Sequence, residues 1–296
     1  MRDNIRPAIA CILLAVLALS FGDAVIKLTS ANFSLWQLFV LRSLPVAACL
    51  ALFIALRRRM IFMPRALPWT LLRSFALCFS WVAYYISLPH LQLSVAAAGF
   101  YTGPLFIALF SAVFAGARVG ARTWFALALG FAGVLALVRP DVDGFNRYAL
   151  LPIAAAVLFA LAMVLTATKC RRETPAVLAL WFNFALIATG ALVSVWALLW
   201  PAAADADPFL LGGWTALGPG GWLTVGVLAA VMLVAAPLVI FAYQNGPPAI
   251  IGAFDYGYLV FSAMWGFLAF TEVPDAAAVT GMVMIAAAGI VAVRKT

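Results

Sequence analysis

Residues 93–114, LSVAAAGFYTGPLFIALFSAVF, pass without a charged side chain. A helix of about 20 apolar residues is what crosses a bilayer core, so this stretch is membrane-length. It is also interrupted near its middle by Gly99, Gly103 and Pro104. Some 154 positions later the chain repeats itself at residues 247–268, PPAIIGAFDYGYLVFSAMWGFL, with Phe254 falling on Phe100 and Gly257 on Gly103. The second copy carries Asp255 where the first carries Tyr101. Each copy then meets a short polar turn and enters another apolar run, ending in AGVLALV at 132–138 and AGIVAV at 288–293. The shared order of glycine, aromatic and turn positions reads as one duplicated unit.

The remaining sequence has the same character. It is 67% hydrophobic and 9% charged, against about 25% charged residues in a soluble domain. The apolar runs are continuous rather than alternating, which excludes the pattern of an outer-membrane barrel. The expected class is an all-α polytopic membrane protein. Ten transmembrane helices fit, near 7–29, 33–56, 66–88, 91–114, 121–138, 149–168, 175–200, 221–243, 248–270 and 276–293. No connection has room for a folded soluble domain. The first run follows Arg2 and Arg6 but lacks a convincing cleavage site, and reads as a retained helix.

The formal charge of +8 is a topology signal rather than a nucleic-acid footprint. Lys and Arg in short loops stay cytoplasmic. The N-terminus, the loops after spans two, four and six, and the tail hold Arg2, Arg6, Arg57, Arg58, Arg59, Arg65, Arg118, Arg122, Lys169, Arg171, Arg172, Arg294 and Lys295. The opposite loops hold just Arg139 and Arg147, with Lys27 near that face, and instead collect Asp141, Asp143, Asp205, Asp207, Glu272 and Asp275. Both termini are expected in the cytoplasm. Five spans per half is an odd number, so the second half enters the membrane from the other side. Residues 1–145 and 146–296 are therefore expected to form two inverted five-helix repeats, a frequent plan of secondary transporters, with the site near the midplane.

The doubled unit, Arg42 after the Ser34-Leu35 start of span two, and the phrase AAGFYTGPLFIALFSAVFAGARVGARTWFALALGFAGVLAL together resemble the drug/metabolite transporter superfamily, and within it the EamA-type ten-helix transporters. In that family span four typically ends with an acidic residue after a glycine. Here Arg118 stands in that place, while the second copy keeps Glu272. The resemblance implies an inner-membrane carrier that exports small metabolites, amino acids first, by alternating access. Spans one to four and six to nine would surround the cavity and spans five and ten would brace it. Some relatives of this type import larger metabolites such as S-adenosylmethionine or riboflavin, and that reading stays open, as does a non-transporting scaffold.

Ionisable groups at membrane depth cost several kcal/mol unless paired or hydrated, so they are the first candidates for substrate binding or gating. Asp23 lies roughly 9 Å, and Arg42 roughly 13 Å, from the outer ends of their helices at 1.5 Å per residue. Arg73 and Asp255 lie roughly 10 Å from the cytoplasmic ends of theirs. Two polar layers flanking the midplane would hold a zwitterion or gate its path; as a purely structural alternative, both are buried ion pairs. Proton coupling stays open. Tyr84, Tyr85, Tyr101, Tyr258 and Trp265 are candidate cavity walls, able to stack on rings or receive a cation on their faces. Gly99, Gly103 and Gly257 mark helix breaks, and Pro104 frees backbone groups that survive at depth only beside protein or a water-filled cavity. The only histidine, His90, reads as a loop residue. The four cysteines show no metal-like spacing. No HExxH, GxSxG or Walker loop is present, so neither catalysis, a metal nor a cofactor is expected. The partners are a small-molecule substrate and the bilayer.

Overall fold

A computed structural model of the chain describes residues 5–29, 34–57, 62–87, 90–91, 93–138, 147–199, 212–271 and 275–293. Glu272 and the acids of the two long connections lie outside the described residues. Among those described, the chain forms α-helices and no strand. They are α1 (Ile5–Thr29), α2 (Leu35–Leu56), α3 (Leu67–Ser87), α4 (Leu93–Phe100), α5 (Gly103–Ala115), α6 (Ala121–Val138), α7 (Leu150–Ala167), α8 (Pro175–Leu199), α9 (Pro219–Asn245), α10 (Pro248–Asp255), α11 (Gly257–Phe270) and α12 (Ala276–Val293).

Eight helical segments are long and apolar enough to cross a membrane, two of them joining the pairs α4/α5 and α10/α11. The chain is a multi-pass membrane protein. Helix α3 is too polar to join those eight, since it carries Arg73, Ser74, Ser80, Tyr84 and Tyr85; α12 is shorter. The interruptions fall where the glycines and proline put them. The chain turns at Tyr101 and Thr102 and restarts with Gly103 and Pro104 in the first turn of α5. It turns again at Tyr256, between Asp255 and Gly257. A proline in the first turn costs little because its missing N–H would be unpaired there anyway. Helix α2 starts on Ser34, whose hydroxyl accepts the Gln37 N–H.

Four pairs dominate the packing: α6 with α12, α1 with α9, α3 with α7 and α2 with α8. Lipid tails are as apolar as leucine, so close backbone approach at small residues, rather than hydrophobicity, holds such pairs together. A Cβ on Gly281 would sit 2.6 Å from the Gly133 carbonyl oxygen, and one on Gly190 would sit 3.0 Å from that of Trp36. Between α3 and α7, Ser80 donates to the Ala155 carbonyl at 2.7 Å. Gly22 of α1 sits against Val231 of α9.

Candidate functional site

The two broken spans meet at the centre of the bundle, where α5 packs on α10. Beside that meeting lies a cavity of about 620 Å3, walled by α1, α2, α3, α4/α5, α7, α9 and α10/α11, with the end of α6 at its edge. Of the residues expected at a site, Asp23, Arg42, Tyr84, Tyr85, Tyr101, Gly103, Pro104, Asp255 and Tyr258 line it, with Trp81 and Phe100. Breaking a helix here leaves short helix ends beside a void, one of the two settings, with burial in protein, in which free backbone groups persist at membrane depth.

The two acids each take a tyrosine hydroxyl. Tyr258 of α11 donates to Asp23 of α1, and Tyr243 of α9 donates to Asp255 at the end of α10. Asp23 opens onto the cavity and Asp255 is buried in its wall. Arg42 is 2% exposed, with its guanidinium carbon 4.9 Å from the Trp81 ring centre and 5.8 Å from that of Phe39. Its Nε and Nη2 are buried without a hydrogen-bond partner. Tyrosine and phenylalanine rings join the acids: Tyr84 to Phe100 at 5.1 Å, Phe100 to Tyr101 at 5.8 Å, and Tyr101 to Tyr258 at 5.8 Å between centroids.

Four expected residues lie elsewhere. Trp265 packs on Phe21 at 5.2 Å, away from the cavity lining. Gly99 sits against Pro152, where a Cβ would meet that ring at 2.9 Å, and Gly257 lies against Leu13. Arg73 is not paired with Asp255. It is fully buried in the seam between α3 and the α7–α8 hairpin, where Nε donates to Thr166 Oγ1 at 2.9 Å and Nη1 to the Leu178 carbonyl at 3.2 Å. Around it Glu173 accepts the Ala66 N–H at 2.8 Å, ahead of α3. Gln244 donates to the carbonyls of Cys170 at 2.8 Å and Glu173 at 2.9 Å. These bonds tie the start of α3, the α7–α8 connection and the end of α9 together. His90 stacks on Tyr148 at 3.8 Å. Tyr243 and Glu173 were not anticipated. Their only sequence signal is a polar residue at the end of an apolar run, which many interfacial anchors share.

The seam has a native reporter, because Cys170 is fully buried within it. Burial raises its thiol above the ordinary range, against the pull of nearby Arg73, so it reacts slowly while the seam is shut. Glu173→Ala removes the acceptor of the Ala66 N–H, a loss of about 1 kcal/mol on the scale of a helix cap. The expected result is faster modification of Cys170 by N-ethylmaleimide, with Cys11, Cys49 and Cys78 replaced by alanine; an unchanged rate would mean the seam does not depend on this bond.

Residues 6–139 match the EamA-like transporter family. Over 289 residues the chain is 28% identical to the pseudopaline exporter CntI of Pseudomonas aeruginosa, covering 97% of this chain and 95% of that protein. It is 29% identical over 217 residues to a riboflavin transporter of Rhizobium johnstonii, covering 73% of this chain and 66% of that one. The chain thus carries an EamA-like transporter domain over residues 6–139 and resembles named small-molecule transporters along most of its length. A solved crystal structure shares the fold of this chain at a TM-score of 0.78 and 18% identity, covering 99% of this chain and 97% of that one. Among the described residues no cluster of three or more His, Cys, Asp or Glu side chains stands together as a metal site.

Proposed function

We propose that this EamA-type protein is an alternating-access carrier of the inner membrane that exports small amphipathic metabolites, with amino acids and their derivatives first. Its ten spans, completed by α3 and α12, form inverted repeats at residues 1–145 and 146–296, and both termini are cytoplasmic. The central cavity between the two broken spans carries this reading. At about 620 Å3 it falls within the roughly 300–1,000 Å3 of drug-sized ligand sites.

The helix pairing supports the repeat. Counting α4/α5 and α10/α11 as one span each, exchanging every span with the one five places on turns the α1–α9 pair into the α7–α3 pair. The same exchange turns α1–α11 into α7–α5, and returns α2–α8 and α6–α12 to themselves; all of these pairs occur. The breaks also fall in register at 154 residues, Thr102 against Tyr256. The family match ends at residue 139, close to the expected boundary. A scaffold would have every buried charge paired and no void; Arg42 is unpaired and the void exists. In this orientation the Arg73 seam lies on the cytoplasmic side of the bundle. Export is favoured by the exporter matched over nearly its whole length. Import of a larger, flat-ringed molecule is the second reading, favoured by the aromatic walls and by the riboflavin transporters among the relatives.

The test is flux in proteoliposomes. Saturable counterflow of a metabolite, with net movement out of cells that express the protein, is the expected result. Saturable net uptake would replace export with import. No binding and no flux for amino acids, nucleosides, vitamins or polyamines would remove the carrier reading.

A further inference from the structure

Among the described residues that line the cavity, Arg42 holds buried donors with no hydrogen-bond partner. Its residue is 2% exposed, yet Nε and Nη2 find no acceptor. An uncompensated cation at membrane depth is strongly unfavourable, and such groups mark substrate paths by default. Contact with the Trp81 face at 4.9 Å offsets part of the cost but leaves the N–H donors unused. Nε and Nη2 form the side of the guanidinium fork that matches the two oxygens of a carboxylate. Arg42 already lines the cavity, so presenting that edge to a ligand takes a rotation of its own side chain.

Asp23 supplies the complement. Its carboxyl faces the same cavity and accepts from Tyr258, among rings that include Tyr84, Tyr101 and Phe100. A carboxylate set among aromatic faces is a receptor for an ammonium group. Asp23 and Arg42 act on each other through space without forming an ion pair, so a molecule that carries both charges fits between them. A phosphate dianion does not, because Asp23 would repel its second charge.

We propose that Arg42 is the receptor for a carboxylate on the transported molecule, and that Asp23 with its surrounding tyrosines receives an ammonium on the same molecule. The proposal deepens the carrier reading above and rests on it. The apolar wall of Leu228, Val231 and Met232 takes the remainder of the substrate, so its side chain sets size while the two poles set class.

The experiment measures binding to the purified protein and flux in proteoliposomes for the standard L-amino acids and a set of dipeptides, with riboflavin as a comparison lacking both charges. For the best binder, the methyl ester removes the carboxylate and the N-acetyl derivative removes the ammonium charge. Each modification is expected to weaken binding at least about tenfold in the wild type, the scale of one lost charged contact. In Arg42→Gln the parent falls to the affinity of its ester while the ester is unaffected; in Asp23→Asn the parent falls to that of its N-acetyl derivative. The derivative series on the wild type stands alone if either variant fails to fold. An ester or N-acetyl derivative that binds as tightly as the parent overturns the proposal. So does riboflavin binding, undiminished in Arg42→Gln, when no aminocarboxylate binds; in both cases a ligand is still recognised and the carrier reading survives. Absence of binding and of flux for every compound removes both.

Discussion

Asp255→Asn should abolish flux and leave a folded protein. Asp255 closes α10 at the break of the second repeated stretch, lines the cavity wall, and is buried with the Tyr243 hydroxyl donated to it. Asparagine has nearly the same volume, and its carbonyl oxygen still accepts from Tyr243, so packing is preserved. What disappears is the charge and the ability to bind and release a proton. Loss of one buried charged interaction costs about 3 kcal/mol, and at about 1.4 kcal/mol per tenfold the flux falls on the order of a hundredfold. Counterflow in proteoliposomes, beside the melting midpoint of the same preparation, checks both halves of this statement. Wild-type flux in the variant would remove Asp255 from the transport pathway. Tyr243→Phe leaves the carboxyl in place but without its donor, and is expected to impair flux less.

Gly281→Leu should destabilise the protein more than any single change in the cavity. The Cβ position on Gly281 lies 2.6 Å from the Gly133 oxygen and 2.8 Å from both the Leu137 Cβ and its backbone nitrogen. Two of these three atoms are backbone, so the clash is relieved only by separating α6 from α12. Overpacking of this kind costs typically 1–3 kcal/mol, and a side chain four carbons long belongs at the upper end. At about 2–4 °C per kcal/mol for chains of comparable size, the melting midpoint falls by roughly 6–12 °C. Gly226, exposed on α9, has nothing within 4 Å of its Cβ position, so Gly226→Leu is the matched control and is expected to leave the midpoint nearly unchanged. Equal midpoints for the two variants would show that the α6–α12 contact does not hold the bundle together.

The helical membrane class was legible because it follows from run length and charge content, which no tertiary contact alters. The breaks were equally legible: Gly103 and Pro104 act on their own backbone, and the turns at Tyr101–Thr102 and Tyr256 fall beside the glycines that announced them. Buried charges were legible as candidates, because a lone Asp or Arg in an apolar run stands out by its cost alone. Their partners were not. Pairing Asp23 with Arg42, and placing Arg73 at the level of Asp255, assumed that opposite charges at equal depth meet. Depth counted along a helix says nothing about which way the residue faces or which helix stands beside it. Trp265 fails for the same reason: an aromatic residue in the broken span has a whole circumference to choose from, and its face turns to Phe21.

By itself, then, the sequence determined that this chain lives in a bilayer, where its helices break, and which few side chains are too costly to be there without a reason. Only the tertiary structure decided that Tyr258 reaches Asp23 across 235 residues, that Arg73 seals a seam with Thr166 and Leu178, and that Arg42 is left with unused donors beside a cavity. The division has one physical cause. Solvation and backbone conformation are local and can be read residue by residue, whereas a hydrogen bond between helices depends on rotations and crossings set by the packing of the whole bundle.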